Sequence, residues 1–232
     1  MTEELDAVMF DLGGTLIDLV PTKDVVFHKV LVRHGHKVPL TNLTKAIAEA
    51  DRKFDKESAD LDGVHEDWFW NKFDKFVLDR VAYRGDHTEF AKDISSEFER
   101  IVPNVKSWTE YADVRPLLDS LQERDFKLGL ISNATDLARK VVNHLGLSKY
   151  FETVVISDEV GFRKPDKRIF KLAASKANVS PSRILYVGDK FEVDVVGARG
   201  AGMNSILIDR AGIYSDVDCI RIRTLNELRR FL

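Results

Sequence analysis

Cysteine is nearly absent: Cys219 stands alone in 232 residues. That excludes an intramolecular disulfide framework and suits a reducing compartment, so a cytoplasmic location is expected. Cys219 itself reads as a strand residue near the C-terminus with a structural role. Long apolar runs are also missing, and no stretch is long enough to span a bilayer, so no membrane partner is expected. The N-terminus offers Glu3, Glu4 and Asp6 in place of a basic segment before an apolar one, and does not read as a secretory signal. Neither sign of charge dominates. The 35 Lys and Arg against 38 Asp and Glu leave a formal net charge of −3, and the basic residues are scattered, which argues against nucleic acid as a partner. No internal repeat or low-complexity linker is present.

Apolar residues make up 44% of the chain, enough for a substantial core, and their spacing changes along the sequence. Val8–Phe10 is a short apolar run of the kind found in buried parallel strands, and it ends in Asp11. From about Thr22 to about Tyr111 the pattern turns helical, with no convincing strand. It predicts four helices: one from Val25 to His34, one over 41–54 capped by Thr41 or Asn42, one over 65–83, and one over 88–101. Trp68 and Trp70 in the third lie two residues apart and cannot fully share one helical face, yet core packing is expected of each. Asp60, Asp62 and Gly63 read as a polar loop, and His65 as an exposed residue.

Strand and helix alternate again after the bundle. Strands are predicted at 126–131, 153–156, 184–187, 205–208 and near Ile220. Helices are predicted at 114–123, 136–145, 166–176 (with Pro165 at the start), 192–201 and 225–232. Alternation of this kind implies an α/β fold, a Rossmann-like parallel sheet covered by helices on both faces, interrupted by an inserted four-helix bundle. The predicted division is 1–20 and 112–232 for the sheet domain and 21–111 for the helical one.

Four segments carry the chemistry. Asp11-Leu12-Gly13-Gly14-Thr15 follows the first strand, where open α/β sheets place ligands, and its glycines permit a sharp turn and a close approach. Leu128–Asn133 is an apolar run ending in small polar residues. Gly161-Phe162-Arg163-Lys164-Pro165-Asp166 is a basic loop before a helix. Ile184–Asp189 is a strand ending in an acid, followed by Asp194. In this order the four segments resemble the haloacid dehalogenase-like superfamily of hydrolases, over nearly the whole chain.

The resemblance implies roles. Asp11 is the nucleophile, forming an aspartyl phosphate that water hydrolyses. Ser132 donates its hydroxyl to a phosphate oxygen and the amide of Asn133 does likewise. Lys164 is the counter-charge, a part that Arg163 next to it could also fill. Gly14 and Thr15 shape the loop at the substrate. Asp11, Asp189 and the backbone carbonyl of Gly13 are the implied ligands of Mg2+, a hard ion that prefers oxygen, with Asp194 ligating through water or supporting from behind. The helical insertion corresponds to a cap over the active site, with loops that select the substrate.

One position departs from many phosphatases of the family: Gly13 stands where they carry a second Asp as general acid and base. Such help is typically worth ~10² to 10⁴ in rate, so either another group supplies the proton or the leaving group needs none. Asp18, Glu192 and His65 are conceivable replacements. The expected activity is a magnesium-dependent phosphatase acting on a small phosphorylated metabolite, as a monomer or dimer. A 2-haloacid dehalogenase with the same Asp nucleophile is the second reading, since those enzymes need no metal and fit a non-acidic residue at 13. The acidic pair Asp189 and Asp194 favours the phosphatase. A non-catalytic protein that retains the fold is the third: the lost proton donor supports it, and retention of Asp11, Ser132, Lys164, Asp189 and Asp194 opposes it.

Overall fold

Every residue of β1 (Ala7–Phe10) is buried, so this strand needs cover on both faces and a neighbour on each edge. In the computed structural model, which describes residues 4–55, 57 and 67–232, it has both. β4 (Lys127–Ser132) lies along one edge, from Ala7 opposite Lys127 to Phe10 opposite Leu130. β6 (Ile184–Gly188) lies along the other, from Ala7 opposite Ile184 to Phe10 opposite Val187. With β5 (Thr153–Ile156), β7 (Asn204–Ile208) and β8 (Ile220–Ile222) they form a six-stranded sheet in the order β5-β4-β1-β6-β7-β8, parallel throughout. Crossover connections put helices on its faces. Ala7 and Met9 share a core with Ile169, Phe170, Ala173 and Ala174, whose helix spans Lys167–Ala177. Val8 and Phe10 are equally buried and point to the opposite face.

The chain divides into two compact units, Met1–Asp18 with Thr109–Leu232 and Leu19–Trp108. The first holds the sheet. The second includes, among the described residues, α1 (Lys23–Arg33), α2 (Leu40–Lys53), α3 (Asp67–Arg80) and α4 (His87–Ile101). Its core mixes aliphatic side chains with a group of aromatic rings. Phe27 meets Phe73, Phe90 and Phe98, while Phe54 meets Phe69, Phe73 and Phe76, with ring centroids 5.8–6.5 Å apart. Neither Trp68 nor Trp70 is buried in that core, although Trp70 touches its edge through Phe69 and Phe73, with centroids 5.1 and 5.9 Å away. Phe69 and Phe73 hold the inward stripe of α3, and Trp68 and Trp70 flank it at 47% and 40% exposure. Residues two apart are rotated by about 200° on a helix, so one buried stripe cannot take both. The polar loop read at Asp60, Asp62 and Gly63, and His65 at the start of the third predicted helix, lie outside the described residues.

Other expectations shift for identifiable reasons. The region read as strand-free contains β3 (Trp108–Glu110), which pairs with β2 (Ile17–Leu19) in a separate two-stranded sheet. Three residues are too few to display a period, and the pairing joins distant parts of the chain. Cys219 precedes β8 instead of lying within it, half-buried against Val195, Leu207 and Tyr214. Pro39, not Thr41 or Asn42, caps α2. The helix expected over 192–201 begins as a π-helical turn, Phe191–Val196, before a short α-helix, Gly197–Gly200.

Among the described residues, Asp55 and Asp74 are buried acids of the helical unit. Asp74 on α3 is 6% exposed, and its burial raises the carboxyl from 3.8 to about 7 against the pull of the Lys23 ammonium. Between those values the unfolded chain has released its proton while the folded one keeps it, so stability falls as pH rises from 4 to 7. The Asp74→Asn variant should therefore match the wild type near pH 4 and exceed it at pH 8, by at most roughly 4 kcal/mol. Urea unfolding at the two pH values checks this. Equal midpoints at pH 8 would mean that Asp74 is ionised in the folded protein at no cost.

Candidate active site

All the site residues belong to the sheet unit and gather at the carboxyl ends of β4, β1 and β6. Asp11 directly follows β1, with its N–H donated to the Val187 carbonyl at 2.9 Å. Ser132 closes β4, and Asp189 follows the last residue of β6. A central strand with neighbours on both sides brings side chains from distant sequence positions together here.

Lys164 sits at the centre and is 2% exposed. Its Nζ donates to Asp11 Oδ1 at 2.5 Å, to Asp194 Oδ1 at 2.7 Å and to the Tyr186 hydroxyl at 3.0 Å. Thus Lys164, and not its neighbour Arg163, meets Asp11. Burial alone would push the ammonium's pKa down, but the Asp11 and Asp194 carboxylates outweigh it and keep the lysine charged. Asp194 is buried at 1% exposure. Its Oδ1 also accepts from the Tyr186 hydroxyl at 3.0 Å, and its Oδ2 from the Lys190 N–H.

Asp11, Asp189 and Asp194 each present an oxygen within 4.8 Å of the others. Burial raises the Asp11 carboxyl, Lys164 pulls it down and Asp194 pushes it up again. Asp189 is raised well above the usual range, first by burial and then by the charges of Asp11 and Asp194. Asp11 and Asp194 thus share the buried Lys164 ammonium, while Asp189 is pulled down by the Lys190 and Lys164 charges by less than burial and the other two carboxylates push it up. An all-oxygen donor set of this kind fits a hard divalent cation such as Mg2+.

Two glycines make the cluster possible. A Cβ on Gly14 would lie 2.4 Å from Asp189 Oδ2, and a Cβ on Gly188 would lie 2.3 Å from the Asp194 carboxyl carbon. Gly14 also has φ of +74°, and its N–H donates to the Ile17 carbonyl at 2.8 Å to close the turn after Asp11. Gly13 is different: it is exposed, and a Cβ there would meet nothing within 4 Å.

Asn133 and Thr15, both read at the substrate, are tied into the loops that carry Lys164 and Asp11. The Asn133 carboxamide clamps the backbone of Lys164, its Nδ2 donating to the Lys164 carbonyl at 2.9 Å and its Oδ1 accepting from the Lys164 N–H at 2.8 Å. Its main-chain N–H and the second Nδ2 hydrogen are left to offer a phosphate oxygen. Thr15 is fully buried, and its hydroxyl finds no hydrogen-bond partner among the described residues, so it is turned into the loop and away from solvent. Of the conceivable proton sources, Asp18 accepts from the Tyr111 hydroxyl at 2.9 Å, Glu192 lies half-buried in the π-helical turn, and His65 lies outside the described residues.

Sequence reading missed Tyr186. It is fully buried, braced by Phe170 at 5.1 Å, and its hydroxyl joins Lys164 to Asp194. Strand alternation carried a signal: a tyrosine with buried apolar neighbours on a central strand needs a partner for its hydroxyl.

The model of the haloacid dehalogenase-like hydrolases matches residues 5–202. The glyceraldehyde 3-phosphate phosphatase of Methanopyrus kandleri is 39% identical over 109 residues, which is 47% of this chain and 46% of that protein. The phosphoserine phosphatase of Thermus thermophilus is 34% identical over 127 residues, 54% of this chain and 50% of that protein. The chain thus spans about half the length of these curated relatives. Among solved structures, an HAD phosphatase from Thermococcus onnurineus superposes with a TM-score of 0.60 at 26% identity, covering 98% of this chain and 97% of that one.

Proposed function

The chain belongs to the haloacid dehalogenase-like hydrolase family, and we propose that it is a magnesium-dependent phosphatase of a small phosphorylated metabolite, with Asp11 as the nucleophile. The observation that carries this reading is the meeting of Asp11, Lys164, Asp189 and Asp194 at the end of the central strand. The relatives named for glyceraldehyde 3-phosphate and phosphoserine support a small phosphorylated substrate.

In this reading Asp11, the Gly13 carbonyl and Asp189 would hold Mg2+, and Asp194 would support the site from behind. The ion supplies charge stabilisation for the phosphoryl oxygens. The other steps fall to the protein. Lys164 orients the Asp11 carboxylate by a 2.5 Å bond and offsets the charge repelling an anionic substrate. An Asp11 oxygen attacks phosphorus, the bond to the leaving oxygen breaks, and an aspartyl phosphate forms. Water then attacks phosphorus, the bond to Asp11 breaks and phosphate departs. Ser132 and the Asn133 N–H hold phosphate oxygens during both steps, since phosphoryl transfer depends mostly on positioning and charge. Gly13 gives the leaving oxygen no proton, so phosphates with good leaving groups (aryl, acyl or anomeric) turn over fastest. The helical insertion, residues 21–111, serves as a cap that selects substrate. Dehalogenation is less well supported, because a metal-free attack on carbon has no use for the Asp189 carboxylate beside Asp11.

The test is phosphate release from an aryl phosphate with Mg2+ and with a chelator, beside the Asp11→Asn variant. Turnover that needs Mg2+ and disappears in Asp11→Asn is expected. Turnover surviving the substitution would remove Asp11 as nucleophile. Chloride release from a haloacid without any phosphate release would establish the dehalogenase instead.

A further inference from the structure

Arg210 follows β7 and belongs to none of the motifs above, yet it binds the loop that carries the nucleophile. Its Nη2 donates to the Thr15 carbonyl at 2.8 Å. The same guanidinium pairs with both oxygens of Asp113, each at 3.0 Å, and lies 3.8 Å over the ring of Tyr111. Asp113 is fixed in turn by the Leu225 N–H at 2.8 Å. Tyr111 donates its hydroxyl to Asp18 at 2.9 Å and its N–H to the Leu16 carbonyl at 3.1 Å. The pair is largely buried, with side-chain exposures of 19% for Arg210 and 10% for Asp113. All these residues lie in the sheet unit, around the two points where the chain leaves it after Asp18 and re-enters it at Thr109.

We propose that Arg210 is a positioning residue for catalysis, holding the turn 12–17 so that Asp11 and the Gly13 carbonyl keep their places. The turn is closed from inside by bonds from the Gly14 N–H to the Ile17 carbonyl and from the Leu16 and Ile17 N–H groups to the Leu12 carbonyl. Those bonds fix its shape but not its placement against the sheet. The outward-facing Thr15 carbonyl is the handle, and Arg210 takes it from a base made rigid by Asp113 and Tyr111. A planar fork that binds a carboxylate with two donors and stacks on a ring cannot be replaced by a lysine. The guanidinium does not touch the substrate, so its loss acts on the transition state through geometry. A displacement of about 1 Å in a catalytic group can cost 10²-fold in rate.

This role rests on the phosphatase reading, and its test separates the two. Arg210→Lys is compared with Arg183→Met, which breaks an ion pair with Asp6 of 2.6 Å at the opposite end of the sheet. Asp113→Asn is the second variant, keeping shape while removing the charge that orients Arg210. In Arg210→Lys, kcat on an aryl phosphate should fall by about 10- to 100-fold with KM within about threefold, the split expected of a group that does not bind substrate. Hydrogen exchange at the Gly14, Leu16 and Ile17 amides should speed up by about tenfold or more as the turn opens more often. Asp113→Asn should shift both in the same direction, and Arg183→Met neither. Unchanged exchange in the turn, an unchanged kcat, or equal losses in Arg183→Met would overturn the proposal. If the wild type releases no phosphate from any ester, the phosphatase reading fails, and the exchange rates alone decide whether Arg210 holds the turn.

Discussion

Lys164→Met should reduce kcat by a factor on the order of 10³ or more, and Mg2+ should not restore it. Methionine fills similar space, so the loss would be electrostatic. Lys164 is the shared partner of Asp11 and Asp194, and all three side chains are nearly inaccessible to water. Removing one member of a buried ionic group leaves the others uncompensated, which costs roughly 3–5 kcal/mol. Two penalties therefore coincide: Asp11 loses the bond that aims it, and the fold loses the cation that makes burial of two acids tolerable. Added Mg2+ should recover part of the stability by binding the freed carboxylates, because a ligand that binds only the folded state stabilises it. It should not recover the rate, since nothing then directs the Asp11 oxygen. Steady-state kinetics and urea midpoints, each with Mg2+ and with chelator, check both parts. A Lys164→Met protein that turns over within tenfold of wild type would remove the lysine from the mechanism.

The second large effect separates two adjacent glycines. Gly14→Ala should lower activity by at least about 10², because its φ of +74° is unfavourable for alanine and its Cβ would overlap Asp189 Oδ2 at 2.4 Å. Gly13→Asp should do the reverse. Nothing within 4 Å opposes a Cβ there, and the residue is open to solvent. A carboxyl at 13 would add the proton donor that the wild type lacks, worth about 10² to 10⁴ on an alkyl phosphate. On an aryl phosphate, whose leaving group departs without a proton, the gain should be small. The ratio of alkyl to aryl turnover in the two proteins is the measurement. No change in that ratio would mean that position 13 does not face the leaving group, or that another acid already serves it.

Much of this protein is legible in its sequence, for a physical reason. A strand buried on both faces must be apolar throughout, and an amphipathic helix must repeat every three to four residues, so Ala7–Phe10, Ile184–Gly188 and α4 announce themselves locally. The carboxylate at the end of β1 and the acids after β6 are legible as well, because each is tied to an adjacent strand end. Elements without a local period are not: β2 and β3 are three residues each, and their partners lie far along the chain.

The same divide runs through the site. Asp11 as the residue at the end of the first strand is a property of the sequence. The contact of its carboxylate with Lys164 spans 153 positions, and only packing selects Lys164 over Arg163. The Asn133 carboxamide looks wholly free to bind phosphate until the structure shows its oxygen and one of its amide hydrogens engaged by the Lys164 backbone. Gly13 and Gly14 are indistinguishable as letters, yet one faces open space and the other Asp189. Arg210 meets Thr15 across 195 positions, and no motif marks it. The sequence by itself determined the alternating elements, the order of the chemical segments and the carboxylate that ends the first strand. The tertiary structure alone decided which charges meet and which polar groups are already satisfied, because burial and pairing depend on neighbours that only the folded sheet supplies.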